Sequence, residues 1–242
     1  MTSLGVEVVS YDQRGFGESE GDRGRIPKID ALVADAVNVF DLVRREPPAD
    51  PPPFLIAHSM GGAIAAFAVT ERRIVPRGLA LSSPAIAPRV SAIEEQALRL
   101  LLKSAPDARL DSRIKPEQVT RDLNEQQKIR KDKRMHTTVT PRLVVSILDQ
   151  GRSAFAAASR IRVPTLMLVA GTDLIVHQDV TLRFFARIPA NLSTLHQYPK
   201  LFHEVFNEVP VDRQRVFKDF ERWLRRQLGL PLSRNSRGRK GA

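Results

Sequence analysis

The chain has 242 residues, 42% of them hydrophobic and 27% charged, enough to bury a substantial core as one globular unit. It contains no cysteine, which excludes disulfides, thiolate chemistry and Cys-based zinc sites. Its formal net charge is +11 at pH 7, a balance that admits nucleic acid or an anionic surface as partner.

Residues 5–11 (GVEVVSY) predict a strand, and Asp12–Gly21 a glycine-punctuated loop. That loop resembles a dinucleotide fingerprint only superficially. It lacks the third glycine at the right offset, and no helix opens on it. From Lys28 to Arg45, apolar residues at Ile29, Leu32, Val33, Ala36, Val37, Phe40 and Val43 follow the helical period. Prolines 47, 48 and 51–53 end that helix. Phe54-Leu55-Ile56-Ala57 is a short buried strand, His58-Ser59-Met60 a sharp turn, and Gly61-Gly62 opens a helix of small apolar residues. This is the pattern of a nucleophile elbow, with Ala57 in place of the first glycine of G-x-S-x-G. Small neighbours, Ala57 and Gly61, are expected to let strand and helix pass closely. A tight strand-to-helix turn without chemistry is the alternative.

Gly78–Pro84 predicts the next strand, stopped by proline. Strand and helix have alternated up to this point, which implies a mostly parallel sheet with helices on both faces. Residues 86–160 break the rhythm. Ser91-Ala92-Ile93-Glu94 is a capping box opening a helix through Lys103. A polar connection bearing Lys128, Arg130, Lys131, Lys133 and Arg134 follows, read as a solvated face. Thr140-Pro141 starts another helix. The whole segment reads as a helical lid inserted between strands. Val163–Ala170 resumes the sheet, Gly171-Thr172-Asp173 follows its end, and a helix runs from Gln178 to Arg187. A last strand covers Thr194–Tyr198. The final helix, Asp212–Leu228, carries Val216, Phe217, Phe220, Trp223 and Leu224 on one face. The expected divisions are 1–85 and 161–230 for the core, 86–160 for the cap, and 231–242 for a disordered basic tail.

The charge concentrates at that end. From Asp212 to Ala242 there are ten Lys or Arg against three Asp or Glu. The tail carries Arg234, Arg237, Arg239 and Lys240 with no interleaved aromatic residue, which argues against nucleic acid. A solvated tail, with at most weak contact to an anionic membrane surface, is expected. There is no signal-peptide pattern at the N-terminus and no apolar run of transmembrane length, so a cytoplasmic location is expected.

In an open parallel sheet, sites gather beyond the carboxyl ends of the strands. Ser59, Asp173 and His203 fall there, in the order Ser, Asp, His. A serine hydroxyl needs a base to become a nucleophile, and a histidine base needs a carboxylate to hold its tautomer. Met60 N–H occupies the position of an oxyanion donor. Asp173 has an alternative as a turn aspartate. His203 competes with His58, His136, His177 and His196, but it alone lies on the loop after the last strand. Asp12 precedes Ser59 and is read as an anchor for the loop at Arg14–Gly21.

The segments Tyr11–Gly21, His58–Gly62, Ser82–Ala85, Gly171–Asp173 and Tyr198–Glu208 resemble the monoacylglycerol lipase and lysophospholipase group of α/β-hydrolases, the serine aminopeptidase S33-like (hydrolase-4) family. That resemblance implies an α/β-hydrolase fold, a Ser59–His203–Asp173 triad, an oxyanion amide at Met60 and a cap at 86–160. It also implies hydrolysis of a carboxylic ester, monoacylglycerol or lysophospholipid, with no cofactor and no metal. One departure stands out. Members of the group begin with additional strands and a His-Gly segment that supplies the second oxyanion amide, and no His-Gly occurs anywhere in this sequence. The expectation is an N-terminally truncated version with missing N-terminal strands. The rival readings are an aminopeptidase or thioesterase of the same fold, and an impaired or inactive hydrolase-like protein.

Overall fold

The structure, a computed structural model, describes residues 4–45 and 51–231. The basic tail expected at 231–242 therefore lies, from residue 232 onward, outside the described residues, as do Pro47 and Pro48.

Among the described residues, four strands form the main sheet: β1 (Leu55–His58), β2 (Leu79–Ser82), β5 (Thr165–Ala170) and β6 (Ser193–Tyr198), adjacent in that order and all parallel. Parallel neighbours need crossover helices, and these lie between the strands. They are α2 (Ser59–Thr70) after β1 and α7 (Gln178–Phe185) after β5, with α1 (Ala31–Arg45) before β1 and α8 (Pro210–Leu228) after β6. Between β2 and β5 come α3 (Ala92–Ser104), β3 (Leu110–Asp111), α4 (Pro116–Val119), α5 (Leu123–Lys131), β4 (Thr138–Val139) and α6 (Pro141–Ala156). β3 and β4 form a separate antiparallel pair.

The central strands are apolar on both faces because both faces are covered. Leu79, Leu81, Met167 and Val169 point into one core, shared with Leu32, Val33 and Phe40 of α1, Ile64 and Ala65 of α2, Leu143 of α6 and Phe184 of α7. Ala80, Leu166, Leu168 and Ala170 point the other way, against Val216, Phe220, Trp223 and Leu224 of α8. Each fully buried Leu, Val or Phe contributes about 1.5–3 kcal/mol. The two-faced parallel architecture expected from the alternation is the one observed. α6 belongs to the main core as well, with Leu143, Val145 and Leu148 buried. α3 has no buried residue, and its capping box is formed: Ser91 Oγ accepts from Glu94 N–H while the Glu94 carboxylate accepts from Ser91 N–H.

Two expectations fail. Residues 5–11 are not a strand: they carry no ladder pairing, Val8 and Val9 are exposed, and β1 is the edge of the sheet among the described residues. A valine-rich run becomes a strand only where a neighbour takes its backbone groups, and none of the described residues pairs with this one. Phe217 is 48% exposed rather than buried with its helix neighbours. It packs instead against Phe206, at a ring separation of 5.1 Å. The Asp12–Gly21 loop folds around Asp12, whose carboxylate accepts from Glu18 N–H at 2.8 Å, and Arg14 pairs bidentately with Asp35 of α1.

Candidate active site

β1 runs into α2 with no connecting residue. His58 is still extended, with φ −122° and ψ 145°, and Ser59 already opens the helix. The turn is completed within Ser59 itself, which adopts φ +50°. A left-handed non-glycine residue costs about 1–2 kcal/mol. The turn is held by close packing at Gly62, where an added Cβ would sit 2.7 Å from Pro84 Cβ and 2.8 Å from its Cα. Gly61, expected to supply that closeness, would meet nothing within 4 Å. The helix approaches the loop after β2, and Gly62 is the residue facing it. Ala85 N–H donates to the Ser59 carbonyl at 2.9 Å and fixes that loop to the elbow.

Asp173 follows β5 and His203 follows β6. These strands are neighbours in register from Thr165–Ser193 to Ala170–Tyr198, so their exit loops lie side by side. Gly171 makes the approach possible, since a side chain there would overlap the backbone of Pro199. Gly171 N–H donates to Tyr198 C=O and Thr172 N–H to Leu201 C=O. Asp173 is buried, and its two oxygens divide their work. Oδ1 accepts from the amides of Ile175 (2.8 Å) and Val176 (3.0 Å), while Oδ2 lies 2.8 Å from His203 Nδ1. The other ring nitrogen, Nε2, is 2.7 Å from Ser59 Oγ. Ser59, His203 and Asp173 thus form one hydrogen-bonded chain of atoms. Met60 N–H is a first-turn amide of α2, without an acceptor inside the helix, at its positive end.

His136 and His196 have partners outside this hydrogen-bonded chain. His136 lies 3.0 Å from Gly15 C=O and stacks on Phe16. His177 precedes α7, and His196 lies 3.6 Å from Asp219. Among the described residues, no group of three or more His, Asp or Glu converges as a metal site.

Sequence reasoning missed one contact. His58 Nε2 lies 2.9 Å from Glu204 Oε1, and His58 Nδ1 lies 3.2 Å from Ser82 Oγ. The His58 ring is 4.9 Å from that of His203. Burial works against a charge on His58, but the Glu204 carboxylate outweighs it and holds the imidazole above its ordinary value. Burial likewise works against the Glu204 charge, yet His58 pulls that carboxyl down to about 2. The available signal was positional: His58 precedes Ser59 and Glu204 follows His203.

The family model described as serine aminopeptidase, S33 (Hydrolase_4), matches residues 1–210. The chain belongs to this family. Phospholipase YtpA of Bacillus subtilis (strain 168) is 30% identical to it over 230 residues, covering 89% of this chain and 83% of that protein. Monoglyceride lipase of Rattus norvegicus is 26% identical over 238 residues, covering 96% of this chain and 77% of the relative. The crystal structure of Paleococcus ferrophilus monoacylglycerol lipase superposes with a TM-score of 0.78 at 25% identity, covering 88% of this chain and 80% of that one. The chain is an S33-family α/β-hydrolase of the monoglyceride-lipase type, as the elbow and His203 segments led us to expect. Among the described residues, no helix is long and apolar enough to cross a membrane.

Proposed function

We propose that this chain hydrolyses carboxylic esters through an acyl-enzyme, with monoacylglycerols or lysophospholipids as substrates. His203 Nε2 takes the Ser59 proton as Oγ attacks the ester carbonyl carbon. Asp173 holds Nδ1 protonated and stabilises the imidazolium that forms. Met60 N–H donates to the developing oxyanion. His203 then protonates the departing alcohol, and a water molecule, deprotonated by His203, releases the acid. The observation that carries this reading is the pair of distances, 2.7 Å and 2.8 Å, linking Ser59 Oγ to Asp173 Oδ2 through one buried imidazole. The substrate class follows the names of the relatives, a phospholipase and a monoglyceride lipase.

Within 86–160, the part from α3 to β4 is the lid of this reading, because α6 is built into the main core while α3 buries nothing. The basic residues Arg234, Arg237, Arg239 and Lys240 add attraction to anionic lipid, where such substrates reside, in a cytoplasmic protein that needs no cofactor.

The test is a panel of a monoacylglycerol, a lysophospholipid, p-nitrophenyl esters and an aminoacyl p-nitroanilide, assayed on wild type and Ser59→Ala. Turnover of the glycerol ester or lysophospholipid by wild type, abolished in Ser59→Ala, is expected. Ester turnover equal in both proteins would contradict the reading, and preference for the anilide would make the protein a peptidase.

A further inference from the structure

We infer that His58 and Glu204 form a clasp that sets the distance between nucleophile and base, acting as positioning residues for Ser59 and His203. The inference rests on the reading of Ser59 and His203 proposed above.

His58 is joined to Ser59 by one peptide bond, and Glu204 to His203 by another, so each pair of α-carbons is held about 3.8 Å apart. Two non-covalent links complete the ring: Ser59 Oγ to His203 Nε2 at 2.7 Å, and His58 Nε2 to Glu204 Oε1 at 2.9 Å. β1 and the loop after β6 belong to opposite edges of the four-stranded sheet, with β2 and β5 between them. No backbone ladder therefore joins the two segments that carry Ser59 and His203. The side-chain bond between their immediate neighbours spans that distance.

Each half of the clasp is itself oriented. Ser82, at the end of β2, contacts His58 Nδ1 and so fixes the ring plane. Glu204 Oε2 accepts from Asn207 Nδ2 at 3.0 Å. The titratable groups facing the pair are His203 and Asp173, so removing His58 leaves the Glu204 carboxylate without its imidazole partner beside the reacting ring.

The loop has independent supports. Glu204 N–H donates to Val119 C=O, Thr120 Oγ1 donates to Asn207 C=O, and Glu208 accepts from Phe202 N–H and pairs with Arg121. Loss of the clasp should therefore leave the fold standing and loosen only the alignment of His203 on Ser59. Misplacement on the scale of an ångström costs up to about 10²-fold in rate.

The test compares wild type, His58→Phe, Glu204→Ala, Glu204→Gln and the His58→Phe/Glu204→Ala double variant in the full chain. Ester hydrolysis (kcat and KM) and Tm are measured for each. The clasp predicts a fall of about 10–100-fold in kcat for His58→Phe and Glu204→Ala, with KM within about 3-fold. The double variant should be no slower than the slower single one, because both remove the same link. Glu204→Gln, which keeps an acceptor for His58, should recover most of the rate. Multiplicative losses in the double variant, rates following Tm alone, or kcat unchanged in the single variants would overturn the inference. Should Glu204→Ala not fold, the His58→Phe and Glu204→Gln rates decide it. An inactive wild type would instead refute the esterase reading itself, and the clasp would fall with it.

Discussion

Replacing Asp173 by Asn isolates what the carboxylate does, because the structure limits how an amide can sit there. Oδ1 accepts from two backbone amides, Ile175 and Val176, and Oδ2 faces His203 Nδ1. If Asn keeps its carbonyl on the two amides, its NH₂ group points at Nδ1. His203 must then carry its proton on Nε2, the atom 2.7 Å from Ser59 Oγ, and it cannot accept the serine proton. The wrong tautomer in a serine protease triad costs about 10⁴-fold in kcat, near 5 kcal/mol. If Asn flips, its NH₂ faces two amide donors in a buried site, and each unpaired donor costs about 1–3 kcal/mol. The flip therefore costs at least about 2 kcal/mol, which sets a floor of about 30-fold. The assay is kcat/KM on a p-nitrophenyl ester, with Tm measured alongside to show that the variant is folded. A loss below about 10-fold in a folded variant would refute the assigned role of Asp173.

Gly62→Ala is expected to lose about 1–3 kcal/mol from overlap with Pro84, several degrees of Tm, while Gly61→Ala, with open space around its Cβ, should hold or raise Tm. Arg121→Ala removes the cationic partner of Glu208, a carboxylate with 0% exposure. Glu208 keeps the Phe202 and Val209 amides, so the expected loss is about 1–3 kcal/mol by thermal or urea unfolding. Glu95 is held at about 2 by hydrogen bonds from Arg152 and Arg99. A carboxyl lowered on folding stabilises the protein above its unfolded value of 4.5 and loses that contribution as pH falls toward 2. Calorimetry should show wild type losing Tm more steeply than Glu95→Gln across that window, and parallel curves would contradict the assignment.

Local signals were the legible ones. The Ser91–Glu94 capping box, the Thr140 cap with Pro141 in the first turn, and the helical period of 212–228 each depend on residues within a few positions, and each element formed within a few residues of its expected bounds. The elbow was legible because an apolar strand meeting Ser-Met-Gly-Gly leaves one way to turn. What escaped depended on partners remote in sequence. Residues 5–11 have strand composition but, among the described residues, no neighbour to pair with. Gly61 and Gly62 are indistinguishable in the sequence, and only the position of Pro84 tells them apart. The His58–Glu204 contact spans 146 positions, and the adjacency of the two residues to Ser59 and His203 is its one trace in the sequence. Phe217 followed the apolar stripe of α8, yet it packs on Phe206 at the rim of the cluster, where half its surface stays in water.

In the proposed chemistry one hydroxyl, at Ser59, is activated by His203. Labelling with a fluorophosphonate followed by peptide mass spectrometry tests it most directly. A single adduct on Ser59 is expected, absent from Ser59→Ala and formed far more slowly in His203→Ala. A folded wild-type protein that stays unlabelled, or carries its adduct on another residue, would contradict it.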